Sequence, residues 1–135
     1  MAEINTTWTY REHSFPLDMN DTDVLERYDA AVLAMRGEFK KLPVGATDAR
    51  EIIAYCAGVR AMIDTLFGDG TTTALIGDSK KPTDYDAVYE SLTDFVHEQA
   101  AENYERRVSL LNKYSPNRAA RRVFERAAEK IGKEK

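Results

Sequence analysis

The sequence has few of the features that would staple a chain covalently or anchor it in a membrane. Among 135 residues there is one cysteine, Cys56, so no internal disulfide can form. No stretch approaches the roughly 20 apolar residues of a membrane-spanning helix, and the start, with Glu3, lacks the basic and apolar regions of a secretory signal peptide. A chain of this length can bury a core without disulfides. We therefore expect a soluble protein in a reducing compartment, the cytoplasm.

The whole chain has only a small excess of acidic groups, whereas its two parts carry larger excesses of opposite sign. The formal net charge of -4 argues against a polycation that coats nucleic acid or membrane. Residues 1–112 carry 11 basic and 20 acidic groups, whereas residues 113–135 carry 8 and 3. The basic end also places apolar residues at helical spacing. We therefore predict one compact domain, residues 1–113, followed by a basic amphipathic extension, residues 114–135.

Residues 4–18 form the one convincing β region. Residues from Ile4 to Tyr10 alternate as a half-buried strand does, and a turn at residues 11–13 then returns the chain through Phe15 and Leu17. Two strands alone are marginally stable in water. We therefore expect the hairpin to pack on helices or to join a sheet supplied by another subunit.

Helical periodicity dominates the rest of the chain. Asn20 is the predicted N-cap of the first helix, Thr47 of the second and Thr83, three residues before Asp86, of the third. Ser115-Pro116 begins a terminal helix. The third helix exceeds the usual helix length of about 11 residues. The predicted spans are 21–42, 48–67, a short turn at 72–76, 83–113 and 116–131.

The apolar residues of these helices recur at the spacing of one helix face, which marks the sides that face a core. The predicted stripes are Tyr28, Val32, Met35, Phe39 and Leu42 on the first helix, Ile52, Cys56, Val59, Ile63 and Leu66 on the second, and Leu92, Val96, Ala100, Tyr104, Val108 and Leu111 on the third. We predict an α+β fold, mostly α, in which the N-terminal β-hairpin packs on a three-helix domain with a short extra helical turn and a basic C-terminal helix. The long third helix is expected to cross the first two.

Few residues have the spacing expected of metal ligands, catalytic groups or a phosphate-binding loop. His13, His97 and Cys56 follow neither a His-x-x-x-His nor a Cys-x-x-Cys pattern. Acidic residues are scattered over polar helix faces, which leaves no pair of carboxylates to nominate as general acid and base. Segment 66–78 lacks the Gly-Lys-Ser/Thr ending of a phosphate-binding loop and fits two glycine helix stops. We expect no enzyme, no metal and no cofactor.

The order of elements and three short motifs resemble a known family. The motifs are residues 18–28, residues 63–71 and residues 76–78, and Phe67-Gly68-Asp69-Gly70 is the most specific part. They are similar to small proteins of siphophages and prophages of Gram-positive bacteria, whose genes lie among the tail-morphogenesis genes. The resemblance covers most of residues 1–113, and residues 113–122 are similar to the Asn-Arg and Arg-Arg bearing tails of such proteins.

The resemblance implies a function in phage tail assembly. Members of that family are regarded as tail assembly proteins, in some cases as chaperones that coat the tape measure protein before the tail tube polymerises around it. The implied protein is helical, non-enzymatic and located in the cytoplasm of the bacterial host, and its partner is a tape measure or tail tube protein. We place the partner-binding residues on the basic extension: Arg118, Arg121, Arg122, Phe124 and Arg126.

Two other hypotheses stay open at this point. The same arginine cluster would suit a small nucleic-acid-binding accessory or regulator, because neighbouring guanidinium groups can neutralise phosphates. The acidic body, however, would repel the same polyanion, and no known nucleic-acid-binding motif accompanies the cluster. A homo-oligomer that completes its hairpin from a neighbouring copy is the second hypothesis.

Overall fold

A computed structural model of the protein has two short strands followed by four helices. It describes residues 3–114 and, beyond them, 122–123, 125–127 and 129–130. The predicted class, α+β and mostly α with an N-terminal hairpin, is confirmed. Within the described residues, no helix is long and apolar enough to cross a membrane. The elements are β1 (Thr7–Tyr10), β2 (His13–Pro16), α1 (Thr22–Lys40), α2 (Asp48–Phe67), α3 (Thr71–Ile76) and α4 (Pro82–Tyr114).

The hairpin has a tighter turn than the sequence predicts. The two strands pair antiparallel, and Tyr10 lies opposite His13 at the closed end. Only Arg11 and Glu12 connect them, and Arg11 adopts the left-handed conformation with a φ of 55°. The prediction that His13 belongs to the turn is wrong, because a two-residue connection lets Tyr10 and His13 complete the ladder.

The first helix begins one residue later than predicted, because Asn20 is not its N-cap. Asp21 has an extended backbone, and its carboxylate accepts a hydrogen bond from the Asp23 amide at 2.9 Å. The Asp21 amide donates to the Asp18 carbonyl at 3.0 Å, so a turn places the cap at Asp21. The Asn20 side chain instead accepts from Nη2 of Arg107 at 2.8 Å.

The other two predicted helix starts have different outcomes. Thr47 is confirmed as the N-cap of α2, since its hydroxyl accepts from the Arg50 amide at 3.3 Å. The capping box at Thr83 is wrong, because α4 begins at Pro82 and Thr83 lies inside the first turn. A proline ring fixes φ near the helical value and needs no amide partner, so Pro82 suits the first position of a helix.

The core lies at one end of the α1–α2 pair, which is antiparallel. We call residues 22–31 and 58–67 the proximal half of this pair and residues 32–57 its distal half. No fully buried member of the core cluster comes from the distal half; partly buried side chains such as Met35 only pack against the edge of that cluster. The buried apolar cluster consists of Trp8, Leu17, Met19, Val24, Tyr28, Ala31, Val59, Met62, Ile63, Leu66, Leu75, Tyr85, Val88, Leu92 and Val96.

Aromatic rings join the hairpin to the helices. Trp8 is 2% exposed, stacks on Phe67 of α2 with 5.5 Å between ring centroids, and donates its indole N–H to the Ser91 hydroxyl of α4 at 3.1 Å. Phe15 completes the cluster at 4.8 Å from Phe67. The hairpin therefore packs between the end of α2 and α4, and α4 packs chiefly on α2 and β1.

A buried glutamine fixes both ends of the hairpin to α4. The Gln99 side chain accepts a hydrogen bond from the Met19 amide. Its Nε2 donates to the carbonyls of Asn5 and Leu17, both at 2.9 Å. These three backbone groups flank β1 and β2, so Gln99 satisfies polar groups that would otherwise be buried without partners.

Two stretches of the predicted buried stripes lie on the surface. Ile52 is 46% exposed because α4 covers α2 only from about Tyr55 onward, where Tyr55 meets Asp86 in the first turns of α4. Tyr104 is 43% exposed, and the inward positions in that part of α4 are the polar Gln99 and Asn103. Helical spacing marks a face, but only a covering element buries it.

Candidate functional site

The densest cluster of polar side chains surrounds α3. Arg60 of α2 donates to the Thr73 hydroxyl and to the Tyr85 hydroxyl, both at 2.8 Å, and to the Gly77 carbonyl at 3.3 Å. Arg11 of the hairpin donates to the Leu75 carbonyl at 3.2 Å. Two guanidinium groups thus bind the carbonyls at the C-terminal end of α3, where the helix leaves acceptors unpaired.

The opposite end of α3 is capped by an acid. The Asp64 carboxylate accepts from the Thr72 amide at 2.9 Å and from the Thr72 hydroxyl at 2.8 Å. Gly70 and Gly77 flank the helix with φ of 88° and 65°, which a side chain would disfavour. The amide that a phosphate would need is therefore already bound to Asp64, and the cluster positions α3 between α2 and α4.

A second polar contact lies where α4 begins to cover α2. The Tyr55 hydroxyl donates to the Asp86 carboxylate at 2.5 Å. Burial, and then the hydrogen bond to Asp86, raise the pKa of Tyr55 well above its ordinary value. Burial and the Asp86 charge also raise the pKa of the neighbouring Cys56 thiol, which is half-buried and packs against the core cluster from the predicted stripe. A thiol whose pKa is raised is a poor nucleophile.

Within the described part of the chain, no three histidine, cysteine or acidic side chains come together as metal ligands would. A groove of about 240 Å³ lies at the base of the hairpin. Glu3, Asp18 and Arg106 line it, so it presents charges of both signs. It therefore offers no field of one sign for a charged ligand.

Exposed large apolar side chains fall into two groups at opposite ends of the molecule. One group lies on the distal half of the α1–α2 pair and comprises Leu33, Val44, Ile52 and Ile53. The other lies near the C-terminal end of α4 and on the extension and comprises Tyr104, Leu110 and Val123. Large apolar side chains exposed in one region of a protein can form part of a protein–protein contact.

The predicted partner-binding residues are only partly described. Arg122 and Arg126 lie in helical segments and are exposed. Arg118, Arg121 and Phe124 lie outside the described residues, as do Ser115 and Pro116 of the predicted junction. Exposed Arg106 and half-buried Arg107 add two cations near the end of α4.

Sequence reasoning missed most of the exposed apolar surface. Ile53 and Leu33 lie beside the predicted stripes, and Leu110 directly precedes the buried Leu111. Two adjacent apolar residues on one helix point about 100° apart, so a single covering element rarely buries both. Pairs such as Ile52-Ile53 and Leu110-Leu111 were therefore the signal that could have revealed an apolar side chain on the surface.

No curated protein and no solved structure matches this chain. A family model does match it, over residues 11–125, from the turn of the hairpin into the basic extension. The match thus spans α1 to α4 and most of the exposed apolar residues at both ends. The chain belongs to this family, DUF6673, which is described as a family of unknown function.

Proposed function

We propose that this protein acts in phage tail morphogenesis by binding another protein, and that it chaperones the tape measure protein during tail assembly. The observation that carries the proposal is the surface at the C-terminal end of the chain. Tyr104 and Leu110 are 43% and 52% exposed near the end of α4, and Val123, on the extension, is 64% exposed. Its neighbours in sequence, Arg122 and Arg126, are also exposed in their own helical segments. Tyrosine and arginine are enriched in protein–protein interfaces.

The distribution of charge supports a partner with acidic groups beside its apolar residues. Residues 82–105 of α4 contain seven acidic residues and no lysine or arginine. Basic residues then begin abruptly at Arg106, and residues 113–135 contain eight. An acidic partner is repelled by most of α4 and attracted at its end, so the charge pattern directs such a partner to this surface.

The side chains near α3 support a binding role in a different way. Arg60 and Asp64 are the most heavily hydrogen-bonded charged groups on α2. Arg60 donates to the hydroxyls of Thr73 and Tyr85, and Asp64 accepts from the hydroxyl of Thr72. These bonds position a six-residue helix, so the two charged groups are engaged within the fold. The sequence resemblance to phage tail assembly proteins over most of residues 1–113 supplies the biological setting of the proposal.

Co-expression with a tape measure protein tests the proposal. The test variant carries Arg122→Glu, Arg126→Glu and Leu110→Glu in the full-length chain. We expect the amount of tape measure protein that co-purifies to fall about tenfold, which corresponds to about 1.4 kcal/mol, and its soluble fraction to fall with it. For the unmodified protein, co-purification should weaken as salt is raised, because exposed charges are screened.

A matched control separates the surface from net charge and added polarity. The control carries Arg27→Glu, Arg36→Glu and Leu33→Glu, three exposed residues of α1 that undergo the same substitutions. It should retain the tape measure protein. Equal retention by the test variant and the unmodified protein would contradict the proposal. Retention of the unmodified protein on DNA, lost on replacing Arg118, Arg121 and Arg122 and weakening steeply with salt, would favour the nucleic-acid hypothesis instead.

A further inference from the structure

The apolar face of α2 continues beyond the element that covers it. Val59, Ile63 and Leu66 are buried beneath α4 and the hairpin, whereas Ile52 on the same stripe is 46% exposed. The reason is the start of α4, whose first contacts with α2 are made by Tyr85 and Asp86. In the two turns of α2 before Tyr55, the apolar face that is buried farther along the helix is therefore exposed to solvent.

The neighbouring part of α1 is uncovered as well. Phe39 and Leu42 are half-buried and lie beyond the core cluster. Val44, in the loop between the helices, is fully exposed, and Ile53 is 64% exposed. We call the surface formed by Phe39, Leu42, Val44, Ile52 and Ile53 the tip patch.

The tip patch lies in a part of the body whose charges nearly balance. Residues 32–57 carry four basic groups, Arg36, Lys40, Lys41 and Arg50, and three acidic groups, which gives a net charge of +1. The rest of residues 1–112 carries 7 basic and 17 acidic groups, or -10. Two copies that meet through their distal halves therefore avoid bringing together their acidic segments, such as residues 82–105.

A two-fold contact places a patch against itself, so the patch must be complementary to its own charges. An acidic face such as that of residues 82–105 fails this condition. The distal half meets it, because the exposed Lys40 ends α1 while Asp48 and Glu51 begin α2 a short loop away. Lys41, the next residue, already pairs with Glu38 of its own copy at 2.9 Å. Each copy can thus offer cations to the acids of the other around an apolar centre.

We infer that the tip patch binds the tip patch of a second copy of this chain. The two α1–α2 pairs then form a four-helix contact, an arrangement in which two-helix hairpins commonly bury their apolar faces. This surface lies at the other end of the molecule from the surface of the proposed function, and neither inference depends on the other.

The contact is small. Each helix contributes about ten residues, or about 15 Å of length, which places the interface below the roughly 1,200 Å² of total area at which stable complexes begin. The dimer therefore dissociates on dilution, with a dissociation constant on the order of 10–100 μM.

Sedimentation equilibrium of the full-length protein over a concentration series tests the inference. We expect a monomer–dimer equilibrium for the unmodified chain. Ile52→Glu with Ile53→Glu should raise the dissociation constant by about tenfold or more, because the dimer would bury unpaired charges. Val44→Glu, a loop change that touches no helix packing, should weaken the dimer in the same direction.

A matched control and two possible outcomes complete the test. Leu33→Glu is the matched control, since Leu33 is 63% exposed in the same half but points about 120° around α1 from Phe39; it should leave the dissociation constant within about twofold. A monomer at every concentration, or a dimer that survives all three tip-patch substitutions, would refute the inference.

Discussion

Both halves of the α1–α2 pair carry apolar residues at helical spacing, but only those of the proximal half are fully buried. In the proximal half, Ile63 and Val59 are 0% exposed beneath α4 and the hairpin. In the distal half, Ile52 and Ile53 are 46% and 64% exposed, although the same helix carries them. The difference arises from the third layer, because β1, β2 and α4 lie over one half only. Burial in this protein is therefore set by the reach of α4 more than by the hydrophobicity of α2.

The buried apolar surface of the proximal half stabilises the folded monomer, whereas the exposed apolar surface of the distal half is available for association. An apolar side chain that is already buried contributes to folding, whereas one that stays exposed in the monomer retains its hydrophobic free energy for association. The proximal half should thus dominate the stability of the monomer, and the distal half should dominate its self-association. Substitutions that act on one property and spare the other distinguish the two halves.

The largest expected effect compares two isoleucines of α2. Ile63→Ala leaves a cavity in the core and should lower the free energy of unfolding by about 2–5 kcal/mol. Ile52→Ala, three turns earlier on the same stripe, should change it by less than about 0.5 kcal/mol in the dilute monomer. Urea denaturation monitored by circular dichroism measures both. Similar losses for the two variants would mean that the distal half is covered after all.

A smaller effect is expected where α1 and α2 approach most closely. A Cβ atom at Gly58 would lie 2.7 Å from Cε1 of Phe39 and 3.1 Å from Cγ of Met35. Gly58→Ala should therefore destabilise the protein by about 1–3 kcal/mol, since both side chains must move. Gly37→Ala is the matched control, because no atom lies within 4 Å of its added Cβ.

The control should stabilise α1 by up to about 1 kcal/mol, the helix propensity gained when alanine replaces glycine. Thermal unfolding gives both values. If Gly58→Ala were also stabilising, the Phe39 ring would be free to swing away at no cost. The packing between α1 and α2 around Phe39 would then be loose.

The sequence predicts the elements of this fold well because their signals are local. Helical spacing and caps such as Thr47 depend on residues within a few positions, and α2 and α3 lie where they were expected. The misplaced boundaries are local too: Asp18 shifts the cap from Asn20 to Asp21, and Pro82 opens α4 before Thr83.

The candidate surfaces were harder to predict because they depend on where elements end in space. Ile52 obeys the same spacing as Ile63, and no local feature says that α4 begins too late to cover it. Gln99, which joins α4 to residues 80 or more positions earlier, gave no signal in the sequence. The charge split was visible as counts of residues, whereas the neutrality of the distal half acquires meaning only when that half is seen to be exposed.

The smallest expected effect concerns the contact at the border between the two halves. Because burial and the hydrogen bond to Asp86 raise the pKa of Tyr55, the folded protein holds the Tyr55 proton more tightly than the unfolded chain does. The stability from this contact is fully present below the unfolded pKa of 10.0 and is lost as the pH rises through the higher folded value. Tyr55 is only half-buried and Asp86 is exposed, so solvent screens this contact and it contributes less than about 1 kcal/mol.

We therefore expect the free energy of unfolding to fall as the pH rises above about 10, and Tyr55→Phe to remove part of that fall while changing little at neutral pH. Tyr104→Phe, at an exposed tyrosine of the same helix that carries Asp86, should leave the alkaline response in place. Amide hydrogen exchange locates the effect. Losing the bond should raise exchange in the first turns of α4 and extend the uncovered surface from Ile52 toward Val59, whereas an unchanged pattern would mean that Tyr55 does not hold the start of α4 against α2.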